Sequence, residues 1–258
     1  MMQNLIFDKN ERIAWLKLNR PQSFNAMNNE LVDELQQALL DAEKDEDIRV
    51  IVLTGEGKAF CAGGDLSYLE SLHDVQQRTD FIEKVGLLTK TITLMSKPII
   101  AMVNGVAAGA GANLMLACDL IYASENAKFA QSFLKVGLIP DCGGLYFLPK
   151  AIGIHKAKEL MFTADLINAT EALSLGMINK VFSPEKLFEE TRSIASRLVT
   201  APPLALSLTK TLLNKTNLEL DDILVQEKTA QALCMSTNDA LEGISAFKEK
   251  RVPQFSGK

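Results

Sequence analysis

Two β-rich runs open the chain, residues 3–8 and 11–18, around the polar pair Asn10-Glu11. They predict an N-terminal hairpin whose second strand ends at Pro21. The period then becomes helical. Leu31, Leu35, Ala38, Leu39 and Ala42 share one face up to the charged run from Glu43 to Asp47, with Asn28 as cap and Glu30 suited to the positive N-terminal end. From Ile48 to Thr54 nearly every residue is apolar or β-branched, as expected of a strand covered on both faces, and Gly55 and Gly57 close it. A second such strand, Ile99 to Val103, follows Pro98, and the intervening stretch from Leu66 to Met95 reads as irregular helix. Further β-type runs at Asp119–Ala123 and Ile178–Phe182 alternate with helical segments near 109–117, 154–163, 170–175 and 184–199. That alternation predicts an α/β layered fold.

Beyond Pro202 and Pro203 the spacing of Leu204, Leu208, Leu212, Ile223, Leu224 and Leu233 is helical, with no convincing strand. This divides the chain into a core at 1–200 and a helical region at 201–258 suited to oligomer contacts. No repeat of 20–50 residues recurs three times, so a solenoid is excluded.

Composition narrows the function classes. The 258 residues are 47% hydrophobic, enough for a substantial core. Lys and Arg number 27 against 32 Asp and Glu, a net charge of -5 that favours neither nucleic acid nor an anionic membrane surface. Cys61, Cys118, Cys142 and Cys234 show no C-x-x-C spacing, and His73 and His155 are too scattered to complete a zinc site, so free thiols in a reducing compartment and no metal are expected. No signal-type or membrane-spanning apolar run occurs, and the expected location is the cytosol.

Two glycine-rich segments each follow a buried strand at a strand-to-helix transition: Gly55-Glu56-Gly57-Lys58-Ala59-Phe60-Cys61-Ala62-Gly63-Gly64-Asp65-Leu66 and Asn104-Gly105-Val106-Ala107-Ala108-Gly109-Ala110-Gly111-Ala112-Asn113. A helix start exposes unpaired amides with partial positive charge, and small residues allow a ligand close to the backbone. Two facing sites of this kind would form an oxyanion hole. Tight turns and close helix packing are the plain alternative.

Together these segments resemble the two signature regions of the crotonase (enoyl-CoA hydratase/isomerase) superfamily. The resemblance includes Asn19-Arg20-Pro21 with Asn25-Ala26-Met27, Cys118-Asp119-Leu120 and Leu138-Ile139-Pro140, and runs on through Glu242-Gly243-Ile244, Phe247, Lys250-Arg251 and Pro253-Gln254-Phe255. It therefore spans nearly the whole chain. It implies a spiral of ββα units with a helical C-terminal trimerisation region, a homotrimer or dimer of trimers, and an acyl-CoA substrate. Coenzyme A enters only as part of that substrate, with no other cofactor. The oxyanion-hole amides fall on Gly64 and Ala110. Phe24, Ala26, Ala62, Gly63, Asp65 and Leu66 lie where the family cradles the CoA nucleotide and pantetheine arm.

The family's hydratases hold water with two glutamates, but the matching positions here are Asn113 and Phe133, neither of which can act as a carboxylate base. Asn113 could bond the acyl group or a water, or simply be satisfied at a helix start; Phe133 could be core or could shape an acyl pocket. A carboxylate does occur at Asp141, in Pro140-Asp141-Cys142-Gly143-Gly144, a segment that with Leu148-Pro149 most resembles the 1,2-epoxyphenylacetyl-CoA isomerase branch. The expected activity is an acyl-CoA isomerase that moves a double bond or opens a ring, with Asp141 transferring the proton. The alternatives are an enoyl-CoA hydratase or lyase of fatty-acid or aromatic degradation, and a non-catalytic acyl-CoA-binding homologue.

Overall fold

The computed structural model describes residues 3–215 and 218–257; the outer ends of the two predicted regions, Met1 and Lys258, fall outside these. The hairpin forms as expected from β1 (Leu5–Asn10) and β2 (Ile13–Leu18), in antiparallel register with Leu5 opposite Leu18. Its turn is one residue later than the polar pair implied. Glu11 and Arg12 both take positive φ (52° and 63°), the geometry that matches the twist of a two-residue hairpin loop.

The remaining elements follow in order. They are α1 (Asn29–Lys44), β3 (Val50–Gly55), β4 (Ala59–Cys61), α2 (Leu66–Ser71), α3 (Val75–Leu94), β5 (Ile99–Val103), β6 (Val106–Ala108) and α4 (Ala110–Leu116). Then come β7 (Leu120–Ser124), β8 (Lys128–Ala130), α5 (Gly144–Ile152), α6 (Ile154–Thr163), β9 (Leu166–Asn168), α7 (Ala169–Ser174), β10 (Lys180–Phe182) and α8 (Pro184–Val199). Last are α9 (Pro203–Leu213), α10 (Leu220–Met235) and α11 (Asn238–Glu249). Two sheets result, β1-β2-β3-β5-β7-β10 and β4-β6-β8-β9. Each of β3, β5 and β7 belongs to the first sheet, and the short strand after it belongs to the second. The chain thus climbs by ββα steps.

Alternation along β3 explains its unbroken apolar run. Val50 and Val52 pack with Ile13, Ile100 and Met102 under Leu187 and Ala195 of α8, while Ile51 and Leu53 join the larger core with Leu31, Leu35 and Leu39 of α1 and Leu88 and Ile92 of α3. Both faces are covered, so the run is apolar up to Thr54, whose hydroxyl donates to Met102 O (2.8 Å). The stretch read as irregular helix is two helices, α2 and α3, separated where Asp74 accepts from Gln77 N to cap the second.

Four elements escape pattern reading. β4, β6, β8 and β9 are three residues each, shorter than a period-2 signal needs, so the glycine segments pass through a strand of the second sheet before their helices begin. Pro149 sits inside α5 and interrupts the helical pattern there.

The helical region contributes no fully buried residue from α9 or α10, and leaves Leu220, Leu233, Met235, Ile244 and Phe247 exposed. Lys210 is one of its ties to the core. The Nζ donates to Asp119 Oδ2 (2.8 Å) and to the carbonyls of Ile92 (3.0 Å) and Lys97 (3.1 Å), while the same Oδ2 accepts from Ile99 N (2.7 Å). The Lys210 side chain is only 8% exposed. Lys210→Met strands the Asp119 carboxylate and two carbonyls, and lowers unfolding stability by about 3 kcal/mol. Urea midpoints read this directly.

Candidate active site

The first glycine segment is held by the loop after the hairpin. Asn25 is fully buried, and its side chain accepts from Arg20 N (2.9 Å) and donates to the carbonyls of Glu56 (2.9 Å) and Ala59 (2.8 Å). So braced, residues 24–27 run alongside 62–65: Ala62 N donates to Phe24 O (3.0 Å), Met27 N to Gly63 O (2.7 Å) and Asp65 N to Met27 O (2.9 Å). Met27 pairs with Gly64 as an isolated parallel bridge, in which the bonds are made by the neighbours of Gly64 and its own N–H points away.

Phe24, Ala26, Ala62, Gly63, Asp65 and Leu66 therefore form one rim. Phe24 and Leu66 are both 54% exposed, Ala62 is half-buried and Ala26 is buried. The Asp65 carboxylate is already engaged. Its Oδ2 pairs with Arg20 (2.8 Å), and its Oδ1 caps α2 through Tyr68 N (3.3 Å). Any ligand contact at this residue falls to its backbone. Arg20 also donates to Ala26 O, so one guanidinium joins both strands of the rim.

The second segment meets the first through glycine contacts. A Cβ on Gly63 would lie 3.0 Å from Ala108 O and 3.5 Å from Ala110 N, and one on Gly111 would lie 2.1 Å from Cys61 O. Backbone meets backbone there, so no side chain fits at Gly111. Gly109 (φ 52°) donates its amide to Ala130 O (2.8 Å) and turns the chain into α4, leaving Ala110 as the first helical residue, whose N–H has no intrahelical acceptor. Gly64 and Ala110 are thus presented by two adjoining turns.

Asn113 and Phe133 frame the same helix start. The Phe133 ring is buried in a 3₁₀ turn (Ser132–Val136), with its Cζ 3.8 Å from where a Gly109 Cβ would stand. It belongs to the main core and faces the turn before Ala110. Asn113, one turn beyond Ala110, is 0% exposed; its Nδ2 donates to Asp141 O (2.9 Å) and its Oδ1 accepts from Gln131 Nε2 (2.8 Å). Both polar ends are consumed internally. These bonds support the satisfied-polar reading of Asn113.

Asp141 is anchored above α4. Its carbonyl accepts from Asn113 Nδ2 and from Gly144 N (2.9 Å), and the next two residues turn sharply with positive φ (48° at Cys142, 74° at Gly143) into α5. Burial pushes the carboxyl up to about 6 against a partial counter-effect of the Cys142 thiol, and Oδ1 is buried without a hydrogen-bond partner among the described residues. The thiols at Cys61 and Cys142 are raised by burial, Cys61 to about 12, so neither is an activated nucleophile. His73 and His155 are exposed and remain without a role.

Sequence reasoning assigned no function to Asn25, Arg20, Gln131 or Thr89, whose hydroxyl faces the Cys142 thiol. Only Arg20 and Asn25 carried a signal, through the resemblance motifs.

The fold and the paired glycine turns define a protein class, and comparison agrees with them. The enoyl-CoA hydratase/isomerase family model matches residues 8–258, and the chain belongs to this family, the crotonase superfamily. Over 258 residues it is 38% identical to the crotonyl-CoA hydratase of Syntrophomonas wolfei, covering 99% of both chains. It is 37% identical to the 1,2-epoxyphenylacetyl-CoA isomerase of Escherichia coli, covering all of both. A crystal structure of an enoyl-CoA hydratase from Bacillus anthracis superposes with a TM-score of 0.95 at 34% identity, over 99% of this chain and 100% of that one. The ββα spiral expected from the resemblance is therefore the fold. Among the described residues no helix is long and apolar enough to cross a membrane.

Proposed function

We propose that the protein is an acyl-CoA isomerase in which one carboxylate shuttles a proton. The reading rests chiefly on Asp141: its carboxylate Oδ1 is buried with no hydrogen-bond partner among the described residues, and its main-chain carbonyl is tethered by Asn113 to the helix whose first amide belongs to Ala110. The acyl thioester lies along the rim from Phe24 to Leu66, and its carbonyl oxygen accepts from the Gly64 and Ala110 amides. Charge that develops there as an enolate meets donors already oriented for it, which contribute about 3–4 kcal/mol each. Asp141 takes a proton from one carbon, the electron pair delocalises through the alkene onto the thioester oxygen, and the same proton returns to another carbon. The carboxylate is regenerated, so no second base is needed.

A hydratase needs a held water. Asn113 has no polar atom free to hold one, and Phe133 has none at all. The hydratase reading keeps a specific support, the 38% identity to a crotonyl-CoA hydratase, and would make Asp141 alone handle the water. Coenzyme A is required only as part of the substrate, and the exposed apolar residues of α10 and α11 support a homotrimer or dimer of trimers.

The test supplies a 3-enoyl-CoA and a 2-enoyl-CoA to the purified protein and follows double-bond migration and 3-hydroxyacyl-CoA formation by mass and absorbance. Migration without appreciable hydration is the expected result; efficient hydration with no migration overturns it. A base must be ionised to act, so the rate falls as pH drops through the Asp141 value near 6 and is flat above it. A rate that stays level down to pH 4.5 would remove Asp141 from the mechanism.

A further inference from the structure

We infer that Asn113 and Gln131 form a polar clamp that positions Asp141, so that the residue standing where relatives hold water instead fixes the aim of the proton carrier. The inference rests on the isomerase reading above.

The clamp has a definite direction. Asp141 O can only accept, so the end of Asn113 that faces it must be the NH₂; Oδ1 then faces inward and requires a donor, which Gln131 Nε2 provides. Gln131 is 4% exposed, and its own Oε1 is left buried with no partner among the described residues. An orphaned acceptor in a dry interior is destabilising. The arrangement therefore sacrifices stability at Gln131 to keep the donor at Asp141.

Gly144 completes the fit. A Cβ there would stand 2.2–2.6 Å from the three terminal atoms of Asn113, so the chain after Asp141 can approach the carboxamide only as glycine. The Gly144 amide adds the second bond to the Asp141 carbonyl. Asn113 of α4 and Gly144 of α5 thus converge on one main-chain oxygen, with Gln131 bracing the first. Gln131 also directly precedes the 3₁₀ turn that carries Phe133, so the same clamp ties the acyl-side ring to the carboxylate loop.

Asn113 and Gln131 are positioning residues: both are buried, both polar ends of Asn113 are bonded internally, and the Gln131 amide is turned onto Asn113. Asn113→Leu and Gln131→Met keep the volume and add no charge, which leaves the pH readout interpretable. With a 3-enoyl-CoA, each lowers kcat while KM stays within about threefold. The loss is about 10–100-fold for Asn113→Leu, the scale of an ångström-sized misplacement, and smaller for Gln131→Met. The acid limb moves toward lower pH by roughly one unit, because a released turn admits water to the carboxylate. Gln131→Met is one residue removed from the loop and keeps the test decisive if Asn113→Leu fails to fold. Wild-type kcat and an unmoved acid limb in Gln131→Met and any folded Asn113→Leu, with Asp141→Asn inactive, overturn the clamp. Undiminished migration in Asp141→Asn overturns the isomerase reading beneath it instead.

Discussion

Asp141→Asn eliminates double-bond migration, lowering kcat by about 10²–10⁴, the usual contribution of a positioned general base. The substitution is unusually clean. What anchors this residue is its carbonyl, which accepts from Asn113 and Gly144 whichever side chain is present. Among the described residues the carboxylate Oδ1 has no hydrogen-bond partner, and the side-chain contact at stake is with the neighbouring Cys142 thiol. Stability should move the other way. The carboxyl is raised to about 6 by burial, above its ordinary 3.8, so its contribution to stability is complete below pH 3.8 and is lost as pH rises through about 6. A neutral amide escapes that loss, and at pH 7 the variant is more stable by at most about 3 kcal/mol. An inactive, stabilised variant separates a functional carboxylate from a turn-capping one, because a cap would cost stability on removal. Paired kinetic and thermal measurements at pH 7, and again at pH 4 where the gain disappears, check both halves.

Ala110→Pro is expected to cost about 10²–10³ in kcat while leaving the fold intact. The first helical position is where proline is best tolerated, since its missing N–H would find no intrahelical partner and its fixed φ suits the helix. Ala110 occupies that position in α4. The preceding residue is Gly109, whose conformational freedom absorbs the restriction that proline places on its neighbour, and whose own amide remains bonded to Ala130. One donor to the thioester oxygen disappears and little else changes. An unaltered circular dichroism spectrum with kcat lowered at least 100-fold is the predicted outcome. Retained activity in a folded variant would take the oxyanion hole away from α4. Ala110→Gly is the control: it keeps the amide and therefore the rate.

The legible parts of this chain are those with a strong local signal. α1 shows a clear 3.6-residue stripe behind an Asn28 cap, and the cap forms through Leu31 N. β3 and β5 show continuous apolar runs because both their faces are packed. The strands of the second sheet were not legible because three residues cannot display a period, and α5 because of Pro149. Motif resemblance singled out Gly64, Ala110 and Asp141 as candidate site residues. The ion pair of Arg20 with Asp65 was not, since 45 residues separate its partners.

By itself, then, the sequence determined the α/β layering, the two glycine turns and the carboxylate available between Pro140 and Gly143. These depend on residue type and near neighbours. Only the tertiary structure decided that burial pushes the Asp141 carboxyl up to about 6, that the Asp65 side chain is already spent on Arg20 and a helix cap, and that the Asn113 side chain bonds the Asp141 carbonyl and Gln131. Burial and hydrogen-bond partners are set by segments distant in the chain, 28 residues apart for Asn113 and Asp141 and 18 for Asn113 and Gln131. No local pattern encodes which of them will meet.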